Sequence, residues 1–281
     1  MSTPLQDAGR RFRSNPAAVG AMVIIACMVA LCIAGPWFSP NGHDTLDWLH
    51  VAMPPGVRQA HWFGTDRLGR DLFVHTLEGT RVSLTVGLVA SAVSVGFGLA
   101  YGSVAGYFGG RIDHLMMRVI EIISGLPLIF FVIFVSVIFG RSMYILLLSI
   151  GAVAWLTMAR IVRGQTLSIR RQEYIEAAVA CGATPARIIV RHVVPNLAGV
   201  IAVYATLSVP QIILFESFLS FLGLGIQEPG VSLGTLVADG AGELESAPWM
   251  LLIPGGFLAL LMLSLNLCGD GLRDALDVKE G

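Results

Sequence analysis

Between Arg81 and Arg111 the chain carries no charged residue. At a rise of about 1.5 Å per residue, a helix needs roughly 20 largely apolar residues to cross a hydrocarbon core of about 30 Å, and this interval exceeds that. Composition extends the point to the whole molecule. Charged residues make up 13% of the 281 residues and hydrophobic ones 55%, with a mean hydropathy of +0.75, whereas a soluble domain carries about 25% charge. The chain reads as an all-α membrane protein. A net charge of −1 and an isoelectric point near 6.6 exclude a basic nucleic-acid binder, which needs clustered Lys and Arg and a domain value above about 9.

Six stretches meet or nearly meet the length requirement: about residues 17–38, 83–107, 122–140, 142–162, 197–218 and 248–267. The fourth tolerates Arg160 because it sits at the end. With the N-terminus inside, the inner segments hold Arg10, Arg11, Arg13, Arg111, Arg118, Arg160, Arg163, Arg170, Arg171, Arg187, Arg191, Arg273 and Lys279, thirteen of the 18 basic residues. Only Arg58, Arg67, Arg70, Arg81 and Arg141 fall outside. The positive-inside rule then places both termini in the cytoplasm. The expected organisation is a cytoplasmic segment 1–16, a six-helix transmembrane region 17–268 and a cytoplasmic tail 269–281. Outer loops fall at 39–81 and 222–247, and the long inner loop at 163–196. Residues 17–38 outrun the h-region of a signal peptide, about 7–15 residues, and read as an uncleaved first helix. The Arg10-Arg11 pair reads as inner anchoring rather than a twin-arginine signal.

Within the spans, Gly98, Gly102 and Gly106 recur at every fourth position with Ser94 one turn earlier. Such a stripe lets helix backbones approach closely, so this helix should be buried against another. Pro127, Pro210 and Pro254 interrupt the third, fifth and sixth spans and are expected to kink them. Glu121 and Glu216 are the acids nearest the spans, and their positions near span ends suggest interfacial carboxylates reaching water. A mid-depth acid would be the mark of an ion-coupled secondary transporter, and the sequence offers none there.

Cys27, Cys32, Cys181 and Cys268 form no CxxC pair and read as apolar packing residues. The one lysine, Lys279, follows Asp277 and Val278, so no G-x-x-x-x-G-K-[ST] phosphate loop exists. If nucleotide energy is used, another chain binds it. No catalytic, cofactor-binding or metal-ligating set stands out.

The inner loop is less generic. Residues 172–180 read as a short helix that Gly182 can end in a left-handed cap. Thr184 then supplies an N-cap oxygen and Pro185 the favoured first helical position, so a second helix begins at once and runs into Arg191. Ala177 and Ala178 beside Glu176 make a small surface with one charge, which suits a helix lying in another protein's groove. A solvated connector rich in alanine for helix propensity fits the same residues.

Here a resemblance enters. Tyr174-Ile175-Glu176-Ala177-Ala178, Gly182 and Val194-Pro195-Asn196 resemble the EAA loop by which ABC importer permeases dock on their ATPases. Gly64-Thr65-Asp66 with Gly69-Arg70-Asp71, Ala159 to Leu167, Glu216 to Gly225 and Gly269 to Asp277 are similar to the dipeptide and oligopeptide permease family, most closely its C-type subunits. The likeness covers essentially the whole chain. It implies a six-helix type I importer permease in the bacterial inner membrane, paired with a homologous B-type permease, two ABC ATPases and an extracytoplasmic peptide-binding protein. It further implies that Tyr174, Glu176, Ala177, Ala178, Gly182 and Pro195 couple to the ATPases, with ATP and Mg on those partner chains. Permeases for dipeptides or nickel share most of these motifs. The chain departs from the family at Ser232-Leu233-Gly234, where Ser-Trp-Gly is usual, and at Asp277-Val278, where Asp-Pro is usual. The first swap removes an aromatic from an outer loop.

On the outer side, residues 66–71 read as a short polar surface segment. The loop from 227 to 248 carries Glu228, Asp239, Glu243 and Glu245 and no basic residue. Such an acidic rim would attract basic side chains of a binding protein, an effect that salt would weaken; an acidic loop without that role fits equally.

Overall fold

The structure, a computed structural model, describes residues 4–39, 46–56, 61–140 and 142–276. Arg58, Arg141, Asp277, Val278 and Lys279 lie outside the described residues. The chain begins with α1 (Pro4–Ser14) and α2 (Pro16–Phe38), separated by Asn15, whose side chain accepts from the Ala17 and Ala18 amides and so starts the second helix. Asp71 does the same for α3 (Leu72–Phe108), accepting from the Phe73 and Val74 amides. α3 therefore starts well before the apolar run and spans 37 residues.

The third apolar run is not one rod. α4 (Gly110–Ser124) and α5 (Leu128–Phe139) meet at 77°. Pro127 disfavours helix in the residue before it, so the chain turns between them. At 12 residues, α5 is roughly 18 Å long, too short to cross alone. Among the described residues five helices are long and apolar enough to cross a membrane, six crossings if the bent pair counts as one.

α6 (Met143–Arg170) continues two turns beyond the apolar run. α7 (Glu173–Ala180) and α8 (Pro185–Ile188) follow, and a π-helical turn (Ile189–Val193) joins α8 to α9 (Val194–Phe221). The fifth crossing is thus a continuous 37-residue helix from Pro185, not a span that begins at 197 after a loop. The stretch 222–247 is likewise not all loop: α10 (Leu233–Gly242) packs among α3, α9 and α11 (Trp249–Leu276).

Contacts fix the antiparallel arrangement. At one end the last turns of α3, α6 and α11 meet the first turns of α2 and α9: Arg170 Nη1 donates to Phe108 O at 3.3 Å, and a Cβ on Gly271 would strike Ala18. At the other end α10 sits on the start of α3 and the end of α9. The most extensive packing is α3 on α6, and the glycine stripe provides it. A Cβ on Gly98 would lie 2.6 Å from Met158 Cβ, and one on Gly106 2.7 Å from Thr166 Cβ; on Gly102 it would strike the Ala159 carbonyl oxygen.

Arg163 has a role that charge counting does not reveal. Its guanidinium forks onto both oxygens of the buried Asp113 at 2.5 Å, tying α4 to α6.

Candidate functional site

The α7–α8 corner is built from the inside out. Ile175 and Ile188 are buried with Met158, Val162, Val193 and Leu197, so both short helices are anchored to α6 and to the root of α9. Gly182 has φ +80°, and the Gly182 and Ala183 amides donate back to Val179 and Ala178 carbonyls at 2.9 and 3.1 Å. This is a left-handed helix stop, which glycine adopts without strain. Thr184 Oγ1 then accepts from the Arg187 amide and Pro185 opens α8. Asn196 Nδ2 donates to His192 O at 2.6 Å and Tyr174 Oη at 3.3 Å, clasping α7 to the start of α9.

Outward from this anchored corner face Glu176, Ala177, Gly182 and Pro195. Tyr174, Val179 and Val190 are 44%, 54% and 69% exposed beside them. An open cleft at the corner is lined by Ala178, Gly182, Arg187, Arg191 and His192. The arrangement is a braced knuckle with apolar side chains and charges of both signs on its surface. It has the makings of a docking surface and holds no constellation for bond chemistry.

Between the helices lies a largely apolar cleft of about 360 Å³, reached by Ser94, Thr157, Tyr204, Ser208 and Gln211 from α3, α6 and α9. Helix rotation, which composition does not give, sets these polar atoms into it.

At the opposite end the structure corrects the reading of Glu216. Its side chain is fully buried rather than reaching water. Ser220 Oγ and Ser232 Oγ each donate to Oε1 at 2.7 Å, and Ser83 Oγ lies 3.5 Å from Oε2. Ser83 also accepts from the Leu233 amide at 3.1 Å. Ser232 caps α10, so the carboxyl group sits at that helix's N-terminus. Glycines let the three elements close on it: a Cβ on Gly234 would lie 2.5 Å from Ser217 Cα, and one on Gly79 3.0 Å from the Ser232 carbonyl carbon. One carboxylate thus pins α3, α9 and α10 together. Glu121, by contrast, is exposed and 3.2 Å from Arg118.

We expect Glu216→Ala to lower the unfolding midpoint in detergent much more than Glu216→Gln. A buried polar group left without its hydrogen-bond partner costs about 1–3 kcal/mol, and Gln preserves the shape and part of the bonding. Equal midpoints for Glu216→Ala and the native chain would remove this role.

The segment 66–71 is not a polar surface strip either. Thr65, Asp66 and Asp71 are buried. Asp66 accepts from the Leu68 and Arg70 amides and from Arg70 Nε, at 2.7–2.8 Å, and Trp249 Nε1 donates to Thr65 O at 3.4 Å. The acidic rim is also less acidic than its own sequence, because this neighbouring loop supplies counter-charges. Arg70 Nη2 lies 3.1 Å from Glu228 and Arg67 Nη2 3.6 Å from Asp239. Burial pushes the Asp239 carboxyl up from its ordinary value, with Arg67 acting against it. Glu243 accepts from Ser246 Oγ at 2.7 Å, and Glu245 is exposed.

A helical bundle of this topology is shared with known transporters. Residues 98–279 match the family model described as binding-protein-dependent transport system inner membrane component, and residues 3–55 that described as the N-terminal transmembrane domain of oligopeptide transport permease C. The chain belongs to the first family: it is the membrane permease component of an ABC importer, a multi-pass inner-membrane protein of a class that works with separate ATPases and a substrate-binding protein. Within that class it is 50% identical, over 98% of its length, to the oligopeptide transport system permease proteins OppC of Haemophilus influenzae and Escherichia coli K12, covering 88% and 91% of them. The dipeptide transport system permease protein DppC of Bacillus subtilis is 44% identical over 98% of the chain and 85% of its own. A chain of the inward-facing MetNI methionine ABC transporter superposes with TM-score 0.59 over 70% of this chain and 94% of that one, at 20% identity. That likeness shows the fold, a type I ABC importer permease.

Proposed function

We propose that this chain is the C-type permease subunit of an ATP-driven oligopeptide importer and forms half of its translocation pathway. The other half would be a homologous B-type permease; two ABC ATPases would sit beneath and an extracytoplasmic peptide-binding protein outside. The observation that carries the reading is the 50% identity to oligopeptide permeases along 98% of the chain. In this reading Tyr174, Glu176, Ala177, Ala178, Gly182 and Pro195 form the ATPase-docking surface. ATP and Mg bind to the partner chains, and this chain catalyses no reaction. Closure of the ATPases would move the corner as a rigid body and shift the bundle from inward-open to outward-open, driven by differential binding. Glu228, Asp239, Glu243 and Glu245 would face the binding protein. With Glu228 and Asp239 engaged by Arg70 and Arg67, Glu243 and Glu245 would carry most of the steering charge.

The test is reconstitution of the four-component complex in proteoliposomes. Short peptides presented by the binding protein are expected to stimulate ATP hydrolysis and to accumulate inside. Accumulation of nickel or single amino acids without peptides would overturn the substrate class. The 44% identity to a dipeptide permease favours a second reading, import of dipeptides alone, which this assay separates by peptide length.

A further inference from the structure

The segment joining α2 to α3 brings together three metal-ligating side chains that the transport reading does not use. Asp47, His50 and His61 each present one ligand atom, all within 4.8 Å of one another. Asp47 Oδ2 lies 2.7 Å from His50 Nδ1 and 3.7 Å from His61 Nε2. The His61 side chain is only 6% exposed, while those of Asp47 and His50 are 37% and 38% exposed, so the cluster opens to solvent on one side.

Two further features organise it. On the far side of the His61 ring, Nδ1 is 2.9 Å from Oδ2 of the buried Asp71. The carboxylate accepts from Nδ1–H, so the neutral form of the ring presents the Nε2 lone pair on the side of Asp47 and His50. A carboxylate that fixes the tautomer of a ligating histidine in this way is the usual second layer of a zinc site. The backbone is also held: the Asp47 amide donates to Gly69 O at 3.1 Å, and Thr65 Oγ1 donates to His50 O at 2.5 Å.

We propose that Asp47, His50 and His61 form a binding site for a divalent transition ion of the zinc type, with water completing the exposed side. Two imidazoles and one carboxylate suit zinc, whereas calcium and magnesium favour oxygen ligands. Zinc ligands at about 2.0–2.1 Å in tetrahedral geometry stand about 3.3 Å apart. The 2.7 Å Asp47–His50 pair must therefore open slightly, a shift that two half-exposed side chains on one turn can make. The bound ion would clamp residues 47–50 to the start of α3 through His61 and Asp71.

The test uses the purified full-length chain in detergent, stripped with chelator. Titration with Zn²⁺ against a fluorescent chelator is expected to show one ion per chain that excess Mg²⁺ does not displace, and Co²⁺ should give the visible bands of a four-coordinate ion. His50→Gln should weaken Zn²⁺ at least tenfold. Asp71→Asn is the sharper variant. Asparagine still caps α3, but its amide donates toward His61 and turns the lone pair away, so affinity should fall by about 10–100-fold, the range for lost outer-layer partners. His114→Ala, at an exposed histidine on α4, should leave zinc affinity unchanged. Zinc retained equally by the native chain and both His50→Gln and Asp71→Asn, or no stoichiometric zinc at all, overturns the site. Should His50→Gln lower the metal-free unfolding midpoint, the Asp71→Asn result decides.

Discussion

Gly182→Arg and Glu176→Lys are each expected to bring uptake and substrate-stimulated ATP hydrolysis of the assembled complex to background, while the chain still inserts in the membrane and purifies with its permease partner. Gly182 turns α7 into α8 at φ +80°, and a Cβ there would meet nothing within 4 Å. The damage would therefore come from what arginine adds to the surface: a left-handed conformation disfavoured by about 1–2 kcal/mol and a third cation in a cleft that already holds Arg187 and Arg191. Glu176→Lys reverses the sign of an exposed charge on α7. A like-charge contact in an interface costs several kcal/mol, which is about a hundredfold or more in docked complex. Coupled ATPase assays and peptide uptake in proteoliposomes measure it. Normal transport by both variants would take the docking surface away from this corner.

Gly102→Leu is expected to abolish recovery of monodisperse protein, whereas Gly96→Leu, about 1.7 turns away on the same helix, should behave like the native chain. The added Cβ at Gly102 would collide with the Ala159 carbonyl oxygen, lie 2.8 Å from Val162 Cβ and 3.0 Å from the Arg163 amide nitrogen. Two of those three obstacles are backbone, which cannot rotate away, so α3 and α6 must separate. That separation also removes the contacts at Gly98 and Gly106. Overpacking a core costs about 1–3 kcal/mol per site, and a rigid obstacle belongs at or above the top of that range. A Cβ at Gly96 meets nothing within 4 Å. Size-exclusion profiles and unfolding midpoints of the two variants in the same detergent separate them, and matching behaviour would dissolve the packing argument.

What could be read in advance divides by distance along the chain. The α7–α8 corner was legible because its signals, Gly182, Thr184 and Pro185, act within a turn or two of themselves. The apolar runs were legible because lipid thickness fixes their length. Their ends were not: α6 carries Arg163 and Arg170 within its helix, and the Pro185–Phe221 helix carries Arg187 and Arg191, residues that a hydropathy criterion assigns to loops. Pro127 announced a bend, but a 77° turn depends on what packs against each half. Glu216 was misread for a different reason. Its depth along a helix says nothing about a Ser83 hydroxyl 133 residues away, just as the acidic loop gives no sign of Arg70, 158 residues before Glu228.

The helix from Pro185 to Phe221 runs from the α7–α8 knuckle to the buried Glu216 without a loop. At about 1.5 Å per residue it spans roughly 55 Å, longer than a bilayer is thick. Its hydrogen-bond ladder is disturbed around the π turn at Ile189–Val193, with Pro195 two residues beyond it, and at Pro210. In the proposed mechanism, a push delivered at the knuckle would find no loop to dissipate into along this strut. Any fraction of that stroke lost before the far face would be absorbed at those joints, and stiffening either one would change how far the other face travels.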